Sequence, residues 1–329
     1  QAGGRPHAEA EALARAGRLA KNATAYVTLE PCSHFGKAPP CSEALISAGV
    51  SRCVIGTEDP DPRVNGQGIA QLKAAGIAVE VGLCRREAED LNAGFLLSKK
   101  LGRPFVALKL ATTLDGRIAC SNGHSQWVTG ELARRHVHRL RASFDGVMVG
   151  SRTAVADNPR LNVRLPGFSS KDYPWRIVLD SKARLPITHD LVTRARNQPT
   201  ILVTASAVSA EVVASFEDAG VRVRAIASGD NGHLDLGVVL RELASLGLTR
   251  LLVEGGGELA AALLRKDLVD SLLWYSAPTL IGGDGLSALG GLGLTSVTDA
   301  VKFELQDETA LGEDRFMRFL RRTKPWRSP

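Results

Sequence analysis

The stretches His7-Ala8-Glu9 and Pro31-Cys32-Ser33-His34-Phe35-Gly36-Lys37-Ala38-Pro39-Pro40-Cys41 carry the pattern that decides the fold of the first part of this chain. One imidazole and two thiols can supply three corners of a tetrahedral zinc site and leave the fourth for water, which is typical of a catalytic site. Glu9 is then a spare carboxylate that can carry a proton from water to a leaving amine. We predict His7, Cys32 and Cys41 as metal ligands and Glu9 as the catalytic residue.

Each predicted ligand lies at the end of a predicted helix or strand. The alanine-rich run after His7 ends at Gly17 and predicts a helix. Cys32 follows the β-rich run at 25–29, and Cys41 opens a helical run whose N-terminus favours a thiolate. The alternative interpretation is a histidine at a helix start and two unpaired cysteines in a core.

The composition of the 329-residue chain, with 44% hydrophobic residues, predicts two domains of ordinary size. The formal charge is +6, but basic residues are scattered and aromatic residues make up 5%, so we predict no nucleic-acid partner. No window approaches a membrane span and the N-terminus has no signal-like segment, so we predict no membrane partner. Five cysteines are an odd count for a disulfide scaffold, which favours a cytoplasmic location.

Strand-like and helix-like runs alternate throughout, which predicts an α/β fold with parallel strands. Gly102-Arg103-Pro104 interrupts a helical run, so we predict domains at 1–102 and 103–329. The run at 151–164 is interpreted as a polar excursion, and 301–320 as two strands joined by a turn. Further strands are predicted at 105–111, 145–150, 176–180, 200–205, 221–226, 250–253 and 271–281, and helices at 86–101, 209–219, 235–246 and 257–266.

Gly255-Gly256-Gly257 joins an apolar run to an amphipathic helix in the second part of the chain. Glycines let backbone N–H groups approach a phosphate, and the positive end of the helix dipole favours its charge. The run fits a loose dinucleotide fingerprint, but an acidic residue about twenty positions later is missing. A glycine turn without a ligand explains the same residues.

Several other features carry weaker predictions. The turn at 59–66 could face the metal pocket, and a plain surface turn is the alternative. His136 and His138 stand among arginines on a predicted helix, which favours a solvated basic face. The three remaining cysteines are predicted to be small buried side chains, namely Cys53, Cys84 and Cys120.

Together these motifs resemble the bifunctional riboflavin-biosynthesis deaminase/reductases. His-x-Glu followed by Pro-Cys is the signature of zinc nucleobase deaminases, and the eight residues between the two cysteines resemble this family in particular. The reductase half is similar in four stretches: Lys-Leu-Ala-Thr-Thr-Leu-Asp-Gly-Arg-Ile-Ala at 109–119, Ser-Gln-Trp at 125–127, the run at 153–164, and Val-Glu-Gly-Gly-Gly at 253–257.

The resemblance implies a cytidine-deaminase-like domain, incomplete at its N-terminus, followed by a dihydrofolate-reductase-like domain. It implies zinc-dependent deamination of 2,5-diamino-6-ribosylamino-4(3H)-pyrimidinone 5′-phosphate, then NADPH-dependent reduction of the ribosyl side chain to ribityl. It also implies a homo-oligomer formed through the reductase domain. One alternative is an NADPH reductase whose first half is a structural or dimerising appendage, and another is a nucleotide-binding regulatory protein.

The resemblance further implies two groups of site residues in the second domain. The residues implied for NADPH are Ala111, Trp127, Thr153, Asp157, Ser181, Gly256, Gly257, Glu258, Leu259, Ala260, Ala261 and Ala262. The residues implied for the phosphorylated ribosylaminopyrimidine are Lys109, Ser125, Arg141, Leu161, Arg164 and Glu254.

The residue types suit those tasks. Arg141 and Arg164 can bind a phosphate with two hydrogen bonds each, although solvated arginines would look the same in sequence. Trp127 offers a flat wall to a nicotinamide or packs in a core, and Glu254 can accept hydrogen bonds from sugar hydroxyls or serve a turn. Lys109 is the candidate proton donor of the reduction.

Overall fold

The computed structural model describes residues 6–35, 39–169, 172–229, 232–322 and 326. The chain forms two compact units, with the division between Gly102 and Arg103. Trp326, from the far end of the sequence, groups with the first unit. The predicted second domain, 103–329, differs from this division at its C-terminal end, where Trp326 packs in unit 1.

Unit 1 is a three-stranded parallel sheet, in the order β1-β2-β3, with helices between the strands. Its core includes Leu45, Ile55 and Leu72, all essentially inaccessible to solvent. Cys53 is also buried there, as predicted. The elements are α1 (Ala8–Ala16), β1 (Thr24–Leu29), α2 (Cys41–Ser47), β2 (Arg52–Thr57), α3 (Gln67–Ala74), β3 (Ala78–Val81), α4 (Arg85–Leu91) and α5 (Ala93–Leu101).

Trp326 is fully buried in unit 1. Its indole Nε1 donates to Asp90 Oδ1 at 3.0 Å, and its carbonyl accepts from Lys100 Nζ at 3.2 Å. The ring also lines a small cavity beside Thr57 and Asp59. A residue more than 220 positions away therefore contributes to the packing of this unit.

Unit 2 contains a nine-stranded sheet and a two-stranded ribbon of β5 and β12. Two helices of this unit begin at a side-chain cap. Ser209 accepts a hydrogen bond from the backbone N–H of Val212, and Asp235 accepts from two backbone N–H groups in the first turn of the helix that follows it. The elements are β4 (Phe105–Thr113), β5 (Arg117–Ala119), α6 (Glu131–Ala142), β6 (Gly146–Gly150), α7 (Ser151–Asp157), β7 (Trp175–Leu179), α8 (Asp190–Thr193), β8 (Thr200–Ala205), α9 (Ala210–Asp218), β9 (Arg222–Ile226), α10 (Leu236–Ser245), β10 (Arg250–Val253), α11 (Gly257–Arg265), β11 (Ser271–Ala277), β12 (Leu286–Ser287), β13 (Phe303–Leu311) and β14 (Asp314–Arg321).

The large sheet has the order β13-β14-β11-β4-β10-β6-β7-β8-β9. Seven strands from β11 to β9 are parallel, and β14 and β13 complete the sheet as antiparallel strands. Alternate residues face opposite sides, so Val147 and Val149 join one buried cluster and Met148 the other. Successive strands are added in one direction from β6 to β9 and in the other direction from β4 to β11, so the strand order reverses near β4, β10 and β6. In α/β sheets, ligands bind in the crevice that forms at such a reversal.

Three sequence-based expectations differ from the structure. The run at 151–164 begins with helix α7, which has too few apolar residues to show a helical period. The predicted helix at 86–101 is two helices that meet at Asn92. Cys84 is exposed in a left-handed turn rather than buried. Among the described residues, no helix is both long and apolar enough to cross a membrane.

Candidate active sites

The structure brings the three predicted metal ligands of unit 1 together. His7 immediately precedes α1, Cys32 follows β1, and Cys41 is the first residue of α2. His7 Nδ1 lies 3.2 Å from Cys41 Sγ and 3.6 Å from Cys32 Sγ. All three ligand atoms lie within 4.8 Å of one another, so the three residues form one cluster that could hold a metal ion.

The chemistry of this cluster fits a zinc ion. One imidazole nitrogen and two sulfurs form a donor set that zinc prefers, and three protein ligands are typical of catalytic zinc. The hydrogen bond from Cys41 and the backbone N–H of Cys41, 3.3 Å from Cys32 Sγ, stabilise the Cys32 thiolate and lower its pKa to about 5. The same thiol pairing raises the pKa of Cys41. A divalent cation binds cysteine as the thiolate, so metal binding at this pair would displace thiol protons.

Glu9 lies on α1, two residues beyond His7, and is half-buried. The pKa of Cys41 is raised mainly by the hydrogen bond with Cys32 and by burial, and the nearby negative charge of Glu9 raises it further. A carboxylate beside the ligand cluster, but not part of it among the described residues, is in place to move a proton.

The turn at 59–66 packs against the loop that carries Cys32. Ser33 Oγ donates to the carbonyl of Arg63 at 3.5 Å. Asp61 is bound by Arg63 and Lys99, and Arg63 holds the pKa of this carboxyl well below its usual range. The turn is anchored by the buried carboxylate of Glu30, which accepts from the backbone N–H groups of Asp59, Gly66 and Ile69.

Unit 2 contains a cleft of about 1380 Å³ at the carboxyl ends of β6, β7 and β10. It is lined by most of the residues that the sequence placed there. For the cofactor these are Ala111, Trp127, Thr153, Asp157, Ser181, Gly256, Gly257, Glu258, Leu259 and Ala262, and for the substrate Lys109, Ser125, Arg141, Arg164 and Glu254.

Three of the expected residues do not line this cleft. Ala260 and Ala261 lie on the face of α11 that packs into the core, and both are fully buried. Leu161 is also buried, in the cluster on the opposite side of the sheet from Met148. A contiguous run on a helix cannot face one cleft throughout, because helical side chains turn by about 100° per residue.

The centre of the cleft holds a largely buried charge cluster. Arg141 Nε and Nη2 donate to Glu254 at 2.6 and 3.0 Å. Burial alone would raise the pKa of Glu254, but Arg141 and Lys109 hold it below its ordinary value. Burial lowers the pKa of Lys109, and the charge of Glu254 opposes that effect. Arg141 is therefore a paired and buried arginine, not a solvated one.

The glycine turn lies between β10 and α11 and shapes one wall of the cleft. A Cβ on Gly257 would lie 2.9 Å from the carbonyl of Ser287, so this position accepts only glycine. A Cβ on Gly256 would contact only Thr153 Oγ1, at 3.4 Å. The N–H of Gly256 donates to that hydroxyl at 3.2 Å. Gly257 thus serves packing, while Gly256 borders open space in the cleft.

Trp127 and the two histidines of α6 lie in surroundings that differ from some of the sequence-based expectations. Trp127 has an exposed fraction of 67%, so it is not a core residue, and the Arg134 guanidinium lies 4.6 Å from its ring centroid. His138 is buried and lines the cleft, and His136 Nδ1 lies 2.8 Å from the hydroxyl of Tyr275. The expected solvated face is wrong for both histidines. The spacing of His138 and Arg141, three residues apart on one helix, was the available signal.

Comparisons with known proteins agree with this geometry. Residues 1–57 match the cytidine and deoxycytidylate deaminase zinc-binding region, and residues 104–316 match the RibD C-terminal domain. The riboflavin biosynthesis protein RibD of Escherichia coli K12 is 41% identical, across 95% of this chain and 86% of that protein. The chain belongs to the RibD family.

Solved RibD structures share the fold. Acinetobacter baumannii RibD superposes with a TM-score of 0.85 at 36% identity, covering 97% of this chain and 86% of that one. The diaminohydroxyphosphoribosylaminopyrimidine deaminase/5-amino-6-(5-phosphoribosylamino)uracil reductase of Thermotoga maritima gives 0.80 at 31% identity, with the same coverage. The predicted cytidine-deaminase-like and dihydrofolate-reductase-like fold, with zinc and NADPH as RibD cofactors, is confirmed.

Proposed function

We propose that this RibD-family chain catalyses two successive steps of riboflavin biosynthesis. Unit 1 deaminates 2,5-diamino-6-ribosylamino-4(3H)-pyrimidinone 5′-phosphate, and unit 2 reduces the ribosyl side chain of the product to ribityl with NADPH. The observation that carries the proposal is the convergence of His7, Cys32 and Cys41 beside a carboxylate in a chain that also contains the RibD reductase cleft.

In unit 1, Glu9 is the group that moves the proton. Zinc held by His7, Cys32 and Cys41 would supply a Lewis acid that makes water nucleophilic at neutral pH. The Glu9 carboxylate takes a proton from the water that attacks the amino-bearing ring carbon and delivers it to the departing nitrogen. Water supplies the new oxygen of the ring, and ammonia leaves.

In unit 2, the residues of the cleft hold and orient the two reactants. NADPH supplies the hydride when it is bound. Gly256 and Thr153 border the space for its phosphates, and the exposed face of Trp127 provides a stacking surface. We assign the proton that accompanies the hydride to Lys109, which lines the cleft and feels the charge of the Glu254 carboxylate.

Arg164 is the best candidate for the substrate phosphate. Arg141 already has three of its guanidinium N–H groups bonded to Glu254 and to the carbonyl of Asn162. Arg164 is exposed to the cleft and, among the described residues, has no carboxylate partner. The phosphate therefore finds unused donors on Arg164, whereas Arg141 orients Glu254 toward the sugar hydroxyls.

The proposal extends to the state of the protein. It includes a cytoplasmic location, because Cys32 and Cys41 must stay reduced to bind a metal and the cytoplasm keeps thiols reduced. It also includes a homo-oligomer formed through unit 2, where β13 is an edge strand of the large sheet. Light scattering on the purified protein measures the oligomeric state, and a monomer would contradict this part.

The test is to measure zinc content, ammonia release and NADPH oxidation in one preparation of the purified protein. We expect zinc at one ion per chain, ammonia from the diamino substrate, and NADPH oxidation that requires the deaminated phosphorylated product. Stoichiometric zinc without ammonia would favour the appendage interpretation of unit 1. Tight NADPH binding without its oxidation would favour a regulatory nucleotide-binding protein.

Two glycine variants test the cofactor wall. Gly256→Ala should fold normally, because its methyl group meets only Thr153 Oγ1, and should raise the KM for NADPH about tenfold by crowding the cleft. Gly257→Ala should lower the melting temperature of unit 2, since its methyl group overlaps the Ser287 carbonyl. Steady-state kinetics and thermal unfolding separate the two effects. An unchanged KM in Gly256→Ala would exclude this wall from the NADPH site.

A further inference from the structure

His138 is a buried histidine whose position beside the cleft has no assigned role. It lies on α6 with an exposed fraction of 8% and borders the same cleft as Arg141 and Arg164. Residues three apart on a helix share a face, so His138 and Arg141 point the same way. The imidazole therefore lines the same part of the cleft as Arg164, the proposed phosphate-binding residue.

We assign the tautomer of His138 from its hydrogen bonds. Arg164 Nε lies 3.1 Å from His138 Nε2, and a guanidinium can only donate, so Nε2 must carry the lone pair. The hydrogen is then on Nδ1, which donates to the carbonyl of Asn162 at 3.1 Å. The backbone N–H of Arg164 also points at Nδ1, at 3.3 Å, and we place the hydrogen on Nδ1 because the Nε contact at Nε2 is shorter and the Asn162 carbonyl faces Nδ1.

The surroundings of His138 keep the ring neutral. Burial lowers its pKa to about 4, and the nearby charges of Arg141 and Arg164 act in the same direction. The carbonyl of Asn162 and the carboxylate of Glu254 oppose this shift without outweighing it. A protonated imidazole would have no lone pair for Arg164, so the neutral state is the one that can accept its hydrogen bond.

This contact leaves Arg164 with a particular set of free donors. Its Nε is engaged by His138, and its two terminal nitrogens are the part of the guanidinium that remains for a ligand. A side chain as long as arginine loses considerable rotamer freedom when it binds a phosphate. A neutral acceptor at Nε removes part of that cost beforehand and does not compete for the phosphate charge.

We infer that His138 is a positioning residue of the reductase, which holds the Arg164 guanidinium so that its terminal nitrogens face the phosphate of the substrate. The inference rests on the proposed function, in which Arg164 binds that phosphate. His138 acts through Arg164 and contacts neither the hydride donor nor the reacting carbon in this scheme.

The test compares His138→Leu, His138→Gln and the control Arg139→Ala, which removes an exposed charge from the same helix. In His138→Leu, the KM for 5-amino-6-(5-phosphoribosylamino)uracil should rise about tenfold, with kcat within about twofold. Glutamine offers one donor group and one acceptor group, as neutral histidine does, so His138→Gln should return the KM to within about threefold of the parent. Arg139→Ala should leave both constants unchanged.

A double variant separates this inference from the proposed function. If Arg164 binds the phosphate, Arg164→Ala raises the KM, and adding His138→Leu changes it by less than about twofold more. An unchanged KM in Arg164→Ala would overturn the proposed phosphate role itself.

Two other outcomes would overturn only the positioning role. The first is a raised KM in Arg164→Ala together with an unchanged KM in His138→Leu, and the second is a His138→Gln variant as impaired as His138→Leu. If His138→Leu does not fold, His138→Asn replaces it, because its amide is polar but too short to reach Arg164. A parental KM in folded His138→Asn would likewise contradict the inference.

Discussion

Glu9→Gln should lower ammonia release by about a thousandfold while zinc stays bound, because general acid–base groups contribute roughly 10²–10⁴ to such rates. Glutamine has the size of glutamate but cannot take a proton from water at neutral pH. The metal cluster consists of His7, Cys32 and Cys41, so the substitution leaves its ligands in place. Zinc analysis and an ammonia assay on the same sample measure both quantities.

Glu11→Gln is the matched control for this experiment. Glu11 lies on the same helix, and its carboxylate is paired with Arg15 at 2.7 Å on a solvated face. An exposed pair of this kind contributes little to stability, so Glu11→Gln should retain zinc, ammonia release and NADPH oxidation. Loss of zinc in Glu9→Gln would identify Glu9 as a ligand, and parental ammonia release would remove it from the reaction.

Trp326→Ala should destabilise unit 1 by about 3–5 kcal/mol, the usual cost of truncating a large buried aromatic side chain. Domains of this size have about 5–15 kcal/mol of stability in total, so a large share of the stability of unit 1 is lost. The melting temperature of that unit should fall by more than about 12 °C. Calorimetry of the whole protein, with zinc present throughout, measures the change.

NADPH identifies which transition belongs to which unit, because a ligand raises the melting temperature of the unit that binds it. In Trp326→Ala, the transition that responds to NADPH should stay where it is. Trp326→Phe keeps an aromatic ring but loses the hydrogen bond to Asp90, so its effect should be smaller. If the transition that does not respond to NADPH is unchanged in Trp326→Ala, this side chain does not contribute to the stability of unit 1.

The sequence was sufficient to predict that the three candidate metal ligands of unit 1 lie together. His7, Cys32 and Cys41 stand at the starts of helices and the end of a strand, and local patterns reveal such ends. The α/β fold could be predicted for a similar reason, since apolar runs of five or six residues alternate with helical periods. The family resemblance added the cofactors and most of the cleft residues.

Other features depend on contacts that no local pattern records. His138 looked like part of a basic surface because neighbours in sequence are arginines, yet its partners Asn162 and Arg164 come from a distant loop. Ala260 and Ala261 were assigned to the cofactor because they belong to a contiguous sequence motif. That motif forms a helix, and these two residues lie on the side of the helix that faces the core. Tertiary packing decides both cases.

The place of Trp326 in unit 1 bears on how the protein is made. During translation, residues 6–102 leave the ribosome before residues 103–322, and a domain that emerges earlier ordinarily folds before the later one. Here the tryptophan that fills its interior is synthesised only after all of unit 2. A premature stop codon just before position 326 would therefore spare the reductase sequence and damage the deaminase unit, which is encoded more than 200 codons upstream.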